Sequence, residues 1–233
     1  MPVQCSVCCA MDEKRMGRVR IKMCGTTRRE DAEYAVRIGI DALGFIFVKN
    51  SPRYIDPEHA GRLISELPPF VSRVGVFVNQ SLDAIKIITA AAGLTQLQLH
   101  GDESPEFCRD LKRWNASLSI CKAFSVGGAR PVPPCADYAG AIDSVLLDTY
   151  VHGAPGGTGK TFDWSRVQHF PIHCPLILAG GLNPDNVEKA VLVVNPYAVD
   201  INSGVEDQPG IKNHQLLAKL VANVRRTEIF PGP

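Results

Sequence analysis

An α/β chain folded as a single (β/α)8 TIM barrel is what this sequence predicts. Three observations lead there. Eight short runs rich in Val, Ile and Leu suit strands buried on both faces of a parallel sheet. Segments of helical periodicity separate them, and the strand centres fall roughly 20 to 30 residues apart, the spacing of a compact barrel. The richest glycine segments come late, whereas a doubly wound open sheet normally carries its ligand loop near the first strand.

The predicted strands are 19–24, 42–48, 73–78, 96–100, 118–124, 144–148, 176–179 and 198–201. Thr27 is expected to cap the first helix, which runs through Arg37, with Glu30 at the reciprocal capping-box position and Gly39 near the end. Asp56-Pro57 starts the second, using the preference for Pro at the first helical position. Ser81 and Ser104 are the expected caps of the third and fourth, and Asn183-Pro184 repeats the cap-then-Pro signal for the seventh. Residues 213–224 place Leu216, Leu217, Leu220 and Val221 on one side of an amphipathic last helix. Pro131, Pro133, Pro134 and Pro171 interrupt the fifth and sixth connections.

The 233 residues suffice for one barrel, expected over 19–226 between an N-terminal tail (1–18) and a C-terminal tail (227–233). A hydrophobic content of 45% and a charged content of 21% are ordinary for a globular protein. The formal net charge of +1 gives no electrostatic case for nucleic acid or an anionic membrane. No apolar run approaches the length that spans a bilayer. The first residues lack the apolar core of a secretory signal. Their Cys5, Cys8 and Cys9 lack the second half and nearby His that a zinc site needs, so no metal is expected. Cys24, Cys108, Cys121, Cys135 and Cys174 are scattered, as reduced thiols of a cytoplasmic protein would be.

Barrel enzymes carry their chemistry at the C-terminal ends of strands and in the loops that follow. Here those positions read Lys22-Met23-Cys24-Gly25, Ser51-Pro52-Arg53-Tyr54, Gln98-Leu99-His100-Gly101 and Leu147-Asp148-Thr149. After the sixth strand comes Gly156-Gly157-Thr158-Gly159-Lys160-Thr161, which looks like the end of a nucleotide P-loop. The full motif would put its first glycine at Ala154, and Phe162-Asp163-Trp164 argues against an immediate helix. The segment reads instead as a lid or phosphate-contacting loop, with Gly157 a candidate contact. Gly180-Gly181 and Ser203-Gly204 follow the seventh and eighth strands, where many barrels hold a substrate phosphate on backbone N–H groups. The alternative is that these glycines only make tight turns.

Taken together with Ala179-Gly180-Gly181-Leu182 and Asp200-Ile201-Asn202-Ser203-Gly204-Val205-Glu206, these segments resemble the phosphoribosylanthranilate isomerase family over 19–224. Met23, Thr26 and Asn202 depart from the family's more usual residues without touching a catalytic group. The resemblance implies an Amadori rearrangement of tryptophan biosynthesis, with Cys24 as general base and Asp148 as general acid. It implies that Arg53 meets an anionic substrate or intermediate, and that no cofactor is needed because the substrate's iminium is the electron sink.

The chemistry suits those residue types. An acid that opens the ring must hold a proton near neutrality, which desolvation at the barrel rim would favour for Asp148. A thiol acts as base only when ionised, so the expectation for Cys24 is a pKa below the ordinary ~8.5. Arg53 could supply the favouring charge or bind the anthranilate carboxylate; the sequence leaves both open. Asp148 could instead cap a turn, His100 could pack or touch substrate, and the role of Asp200 is unassigned. Lys22 and Lys122 keep open a related barrel that uses lysines for indole ring closure. A barrel that binds a phosphosugar without turning it over is the non-enzymatic alternative. The expected partner is a small phosphosugar, with no nucleic acid and no membrane, and the chain is read as a monomer or homodimer.

Overall fold

The computed structural model describes residues 17–126, 135–148, 164 and 174–228. Eight parallel strands close on themselves in chain order, with β1 hydrogen-bonded to both β2 and β8. They are β1 (Arg20–Met23), β2 (Ala42–Ile46), β3 (Ser72–Phe77), β4 (Gln96–Leu99), β5 (Ser119–Ser125), β6 (Ser144–Asp148), β7 (Leu176–Ala179) and β8 (Ala198–Ile201). The predicted barrel is the observed one. Several predicted strands run one or two residues past the ladder, yet Cys24 and His100 remain tied to it through Cys24 N–H to Ile201 O (2.8 Å) and His100 N–H to Phe77 O (2.8 Å).

Six helices are described: α1 (Arg29–Arg37), α2 (Pro57–Ser65), α3 (Leu82–Ala92), α4 (Pro105–Trp114), α5 (Val187–Val194) and α6 (His214–Arg226). None is long and apolar enough to cross a membrane. Asp56 accepts from the N–H groups of Glu58 and His59, Ser81 from Ala84 and Ser104 from Phe107, as their positions predict. Asn213 caps α6 through the N–H of Leu216.

Two expected starts are corrected. Thr27 does not cap α1; its hydroxyl donates to Gly210 O at 2.7 Å, and Arg28 takes the cap position without a side-chain bond. Glu30 pairs with the Arg28 side chain instead of closing a capping box. Asn183-Pro184 opens a turn: Asn183 Oδ1 accepts from Asp185 N–H at 2.9 Å, and α5 begins three residues beyond Pro184. An element the pattern does not announce is a short hairpin, β9 (Glu206–Gln208) with β10 (Ile211–Lys212), after β8. The four prolines of the fifth and sixth connections lie outside the described residues; among the described residues, a 3-10 turn, Cys135–Tyr138, stands between β5 and β6.

Strand alternation divides the interior in two. Outward-facing Ile21, Met23, Leu43, Phe45, Leu97, Leu99, Ile120, Leu147, Leu178 and Val199 pack with the helices as the larger core. Trp164 joins that outer core. A smaller cluster inside the barrel holds Cys121, Ala123, Leu146, Ile177, Ala179 and Ala198. These mostly small side chains leave space toward the C-terminal strand ends. Glu228, read as tail, accepts from Val19 N–H at 3.0 Å and pairs with Arg225 at 2.5 Å.

Candidate active site

A cavity of about 210 Å³ opens at the C-terminal end of the barrel. Cys24 from the end of β1, His100 after β4, Asp148 at the end of β6 and Asp200 on β8 share its wall with apolar Ile46, Val76 and Ala179. Gly180, Gly181, Ser203 and Gly204 form one rim. Eight of the ten residues singled out from sequence therefore meet in one place: Cys24, His100, Asp148, Gly180, Gly181, Asp200, Ser203 and Gly204. Gly157 and the glycine-rich loop around it lie outside the described residues.

The glycine rim has a steric reason. Gly180 and Gly181 have φ of 93° and 64°, which side chains rarely adopt. A Cβ on Gly204 would overlap the Leu182 carbonyl, so the turns after β7 and β8 can close on each other only with glycine there.

Arg53 stands elsewhere. It lies behind Gly25, where a Cβ would come within 2.8 Å of Arg53 Cδ. Its guanidinium is bidentate on Glu206, with Nε at 3.0 Å from both carboxylate oxygens and Nη2 at 2.6 Å from Oε2. Glu206 also accepts from Lys212 Nζ at 2.8 Å, and Lys212 reaches Asn202 Oδ1 at 2.9 Å. The hairpin thus buries a two-cation, one-carboxylate network beside the pocket.

Cys24 is 5% exposed, and its electrostatics correct the sequence expectation. Burial pushes the thiol up, and Asp200 adds to the rise; Lys22 and Lys212 pull it down without prevailing. The two cations that draw the thiol down most are Lys22 and Lys212. Lys22 is buried under the pocket with its ammonium 2.9 and 2.8 Å from the two oxygens of Asp200. Burial alone would lower Lys22, but Asp200 and Cys24 hold it raised. Burial also raises Asp200, against the attraction of Lys22.

His100 Nδ1 faces Gln98 Nε2 at 3.3 Å, leaving Nε2 toward Asp148. The sequence reading missed Lys22 as part of this site, along with Glu206 and Lys212. For Lys22 the signal was available, since a residue two before Cys24 on a strand faces the same side.

The family model for N-(5'phosphoribosyl)anthranilate (PRA) isomerase matches residues 21–223. The chain belongs to that family. The N-(5'-phosphoribosyl)anthranilate isomerase of Citrifermentans bemidjiense is 46% identical over 91% of this chain and 99% of its own. That of Thermotoga neapolitana is 47% identical over 89% of this chain and 98% of its own. Among solved structures, the Thermotoga maritima phosphoribosyl anthranilate isomerase superposes with a TM-score of 0.78 at 42% identity, covering 89% and 99% of the two chains. Another structure of the family, in complex with reduced 1-(o-carboxyphenylamino)-1-deoxyribulose 5-phosphate, matches at 40% identity and a TM-score of 0.75, covering 89% and 99%.

The reading that kept Lys122 for indole ring closure loses its footing within this family. Lys122 points away from the barrel interior and is buried among Leu99 O, Gly101 O, Ala123 O and Glu103 Oε2, at 2.6 to 3.3 Å.

Proposed function

We propose that Cys24 and Asp148 are the base and acid with which this isomerase of tryptophan biosynthesis converts N-(5-phosphoribosyl)anthranilate into 1-(2-carboxyphenylamino)-1-deoxyribulose 5-phosphate. The observation that carries the reading is that the thiol and the carboxylate line one cavity whose rim is the paired glycine turns after β7 and β8. A phosphate held on Gly180, Gly181, Ser203 and Gly204 would leave the sugar between β1 and β6.

Asp148 donates a proton to the furanose oxygen as the C1–O bond breaks, and the anilino nitrogen lone pair forms the iminium. The iminium acidifies C2, and the Cys24 thiolate takes that proton to give the enolamine. Tautomerisation then adds a proton at C1 and releases one from the C2 hydroxyl, which restores both side chains. The iminium is the electron sink throughout. Apolar Ile46, Val76 and Ala179 on the same wall strengthen the charge interactions beside them. Arg53, fixed by Glu206 beside the pocket, remains the candidate partner of the substrate carboxylate.

Turnover of freshly generated phosphoribosylanthranilate, followed by loss of its fluorescence, tests the reading. Wild type is expected to convert it, with Cys24→Ser and Asp148→Asn each slower by roughly a hundredfold or more. Full activity in either variant removes that residue from its role. A folded wild type that binds the phosphosugar without converting it would make the chain a binding barrel.

A further inference from the structure

We propose that Lys22, clamped by Asp200 under the pocket, is the positioning residue that sets the proton affinity of Cys24. The inference deepens the reading of Cys24 as base and rests on it for its catalytic meaning.

The geometry begins with Gly44 on β2, which pairs alongside β1. A Cβ placed there would come within 3.0 Å of both Cys24 Sγ and Lys22 Nζ. The two atoms therefore converge on a space that a side chain at position 44 would fill. Lys22 and Cys24 are neighbours on the inward face of one strand, and the ammonium draws the thiol's pKa down against its burial. Asp200 holds the ammonium from the other side through both carboxylate oxygens. Lys22 and Asp200 side chains are only 6% and 7% exposed, so water screens this arrangement little.

The charged groups around the thiol come from several elements. β1 gives Lys22, β8 gives Asp200 and β10 gives Lys212, while Gly44 of β2 brings no charge. His100 and Asp148 stand on the pocket wall from β4 and β6. Arg53 engages Glu206 instead. Of these, Lys22 is the cation whose ammonium converges with the sulfur beside Gly44. It stays protonated throughout: when the thiolate takes the C2 proton, the S–H bond forms as C2–H breaks and the electron pair passes into the enolamine. Lys22 only stabilises the sulfur's charge before that transfer. Asp200 limits how strongly it does so, which keeps the sulfur basic enough to accept a proton.

The pH dependence of Cys24 alkylation by iodoacetamide, read from the mass of the Cys24 peptide, measures this without turnover. Lys22→Met is expected to raise the midpoint by about one to three pH units. Asp200→Asn, which removes the opposing charge, is expected to lower it. The acid limb of kcat/KM should move in the same directions. An unchanged midpoint in folded Lys22→Met overturns the proposal. Should that variant not fold, Asp200→Asn decides, and a midpoint that stays or rises there overturns it. If both shifts occur while Cys24→Ser retains full turnover, the Lys22 assignment stands and the base assignment falls.

Discussion

His100 Nε2 lies 3.4 Å from Asp148 Oδ2, so the ends of β4 and β6 meet across the cavity mouth. The contact joins a side chain anchored by Gln98 to the proposed acid. Both partners are only about a quarter exposed, which restrains the carboxyl more than it stabilises the fold. His100→Ala is expected to lower kcat by roughly ten- to a hundredfold through misplacement of the acid, with little change in thermal midpoint. An unchanged kcat would show that Asp148 is oriented by other contacts.

Glu206 gives a prediction in pH. Burial alone would push its carboxyl up, but hydrogen bonds from Arg53 and Lys212 hold it below the usual range. A folded pKa below the unfolded one means stability that is fully present above the unfolded value, ~4.3 for Glu, and lost as pH falls through the folded value. Glu206→Gln should therefore flatten the acid side of the stability profile. It should also cost about 3 kcal/mol at neutral pH, because the cations of Arg53 and Lys212 lose their shared carboxylate. Urea midpoints on both sides of pH 4 for the two proteins check this; parallel profiles would refute it.

Lys122 separates stability from chemistry. Its ammonium satisfies three carbonyls and Glu103 on the outer side of the barrel. Removing it leaves a carboxylate that is 2% exposed without its cation. Lys122→Met is expected to cost roughly 3 kcal/mol while the folded enzyme keeps its kcat within about twofold. A large kcat loss at unchanged stability would return this lysine to the reaction.

The barrel was legible because most of its strand residues are buried and most strands read as short apolar runs, and because Asp56, Ser81, Ser104 and Asn213 carry local capping signals. Thr27 misled because a tertiary partner, the Gly210 carbonyl, outbid its own helix for the hydroxyl. That partner is 183 residues away and leaves no local trace. The same distance problem hid the network of Arg53, Glu206 and Lys212: a short hairpin of three and two residues has too little pattern to announce itself. Strand-end position was enough to gather Cys24, His100, Asp148 and Asp200. It could not say that burial would raise the thiol, since that depends on what the neighbouring strands leave beside it.

Closure of the barrel has a consequence for how the enzyme comes into being. β1 is the first strand of the barrel to be made and β8 the last, and the Lys22–Asp200 clamp spans 178 residues of chain. Contacts so distant in sequence form slowly, since the chain must be ordered before they repay it. A nascent chain still lacking β8 carries its cysteine and lysine with no carboxylate to balance them. The polypeptide becomes a catalyst only in the step that brings β8 alongside β1.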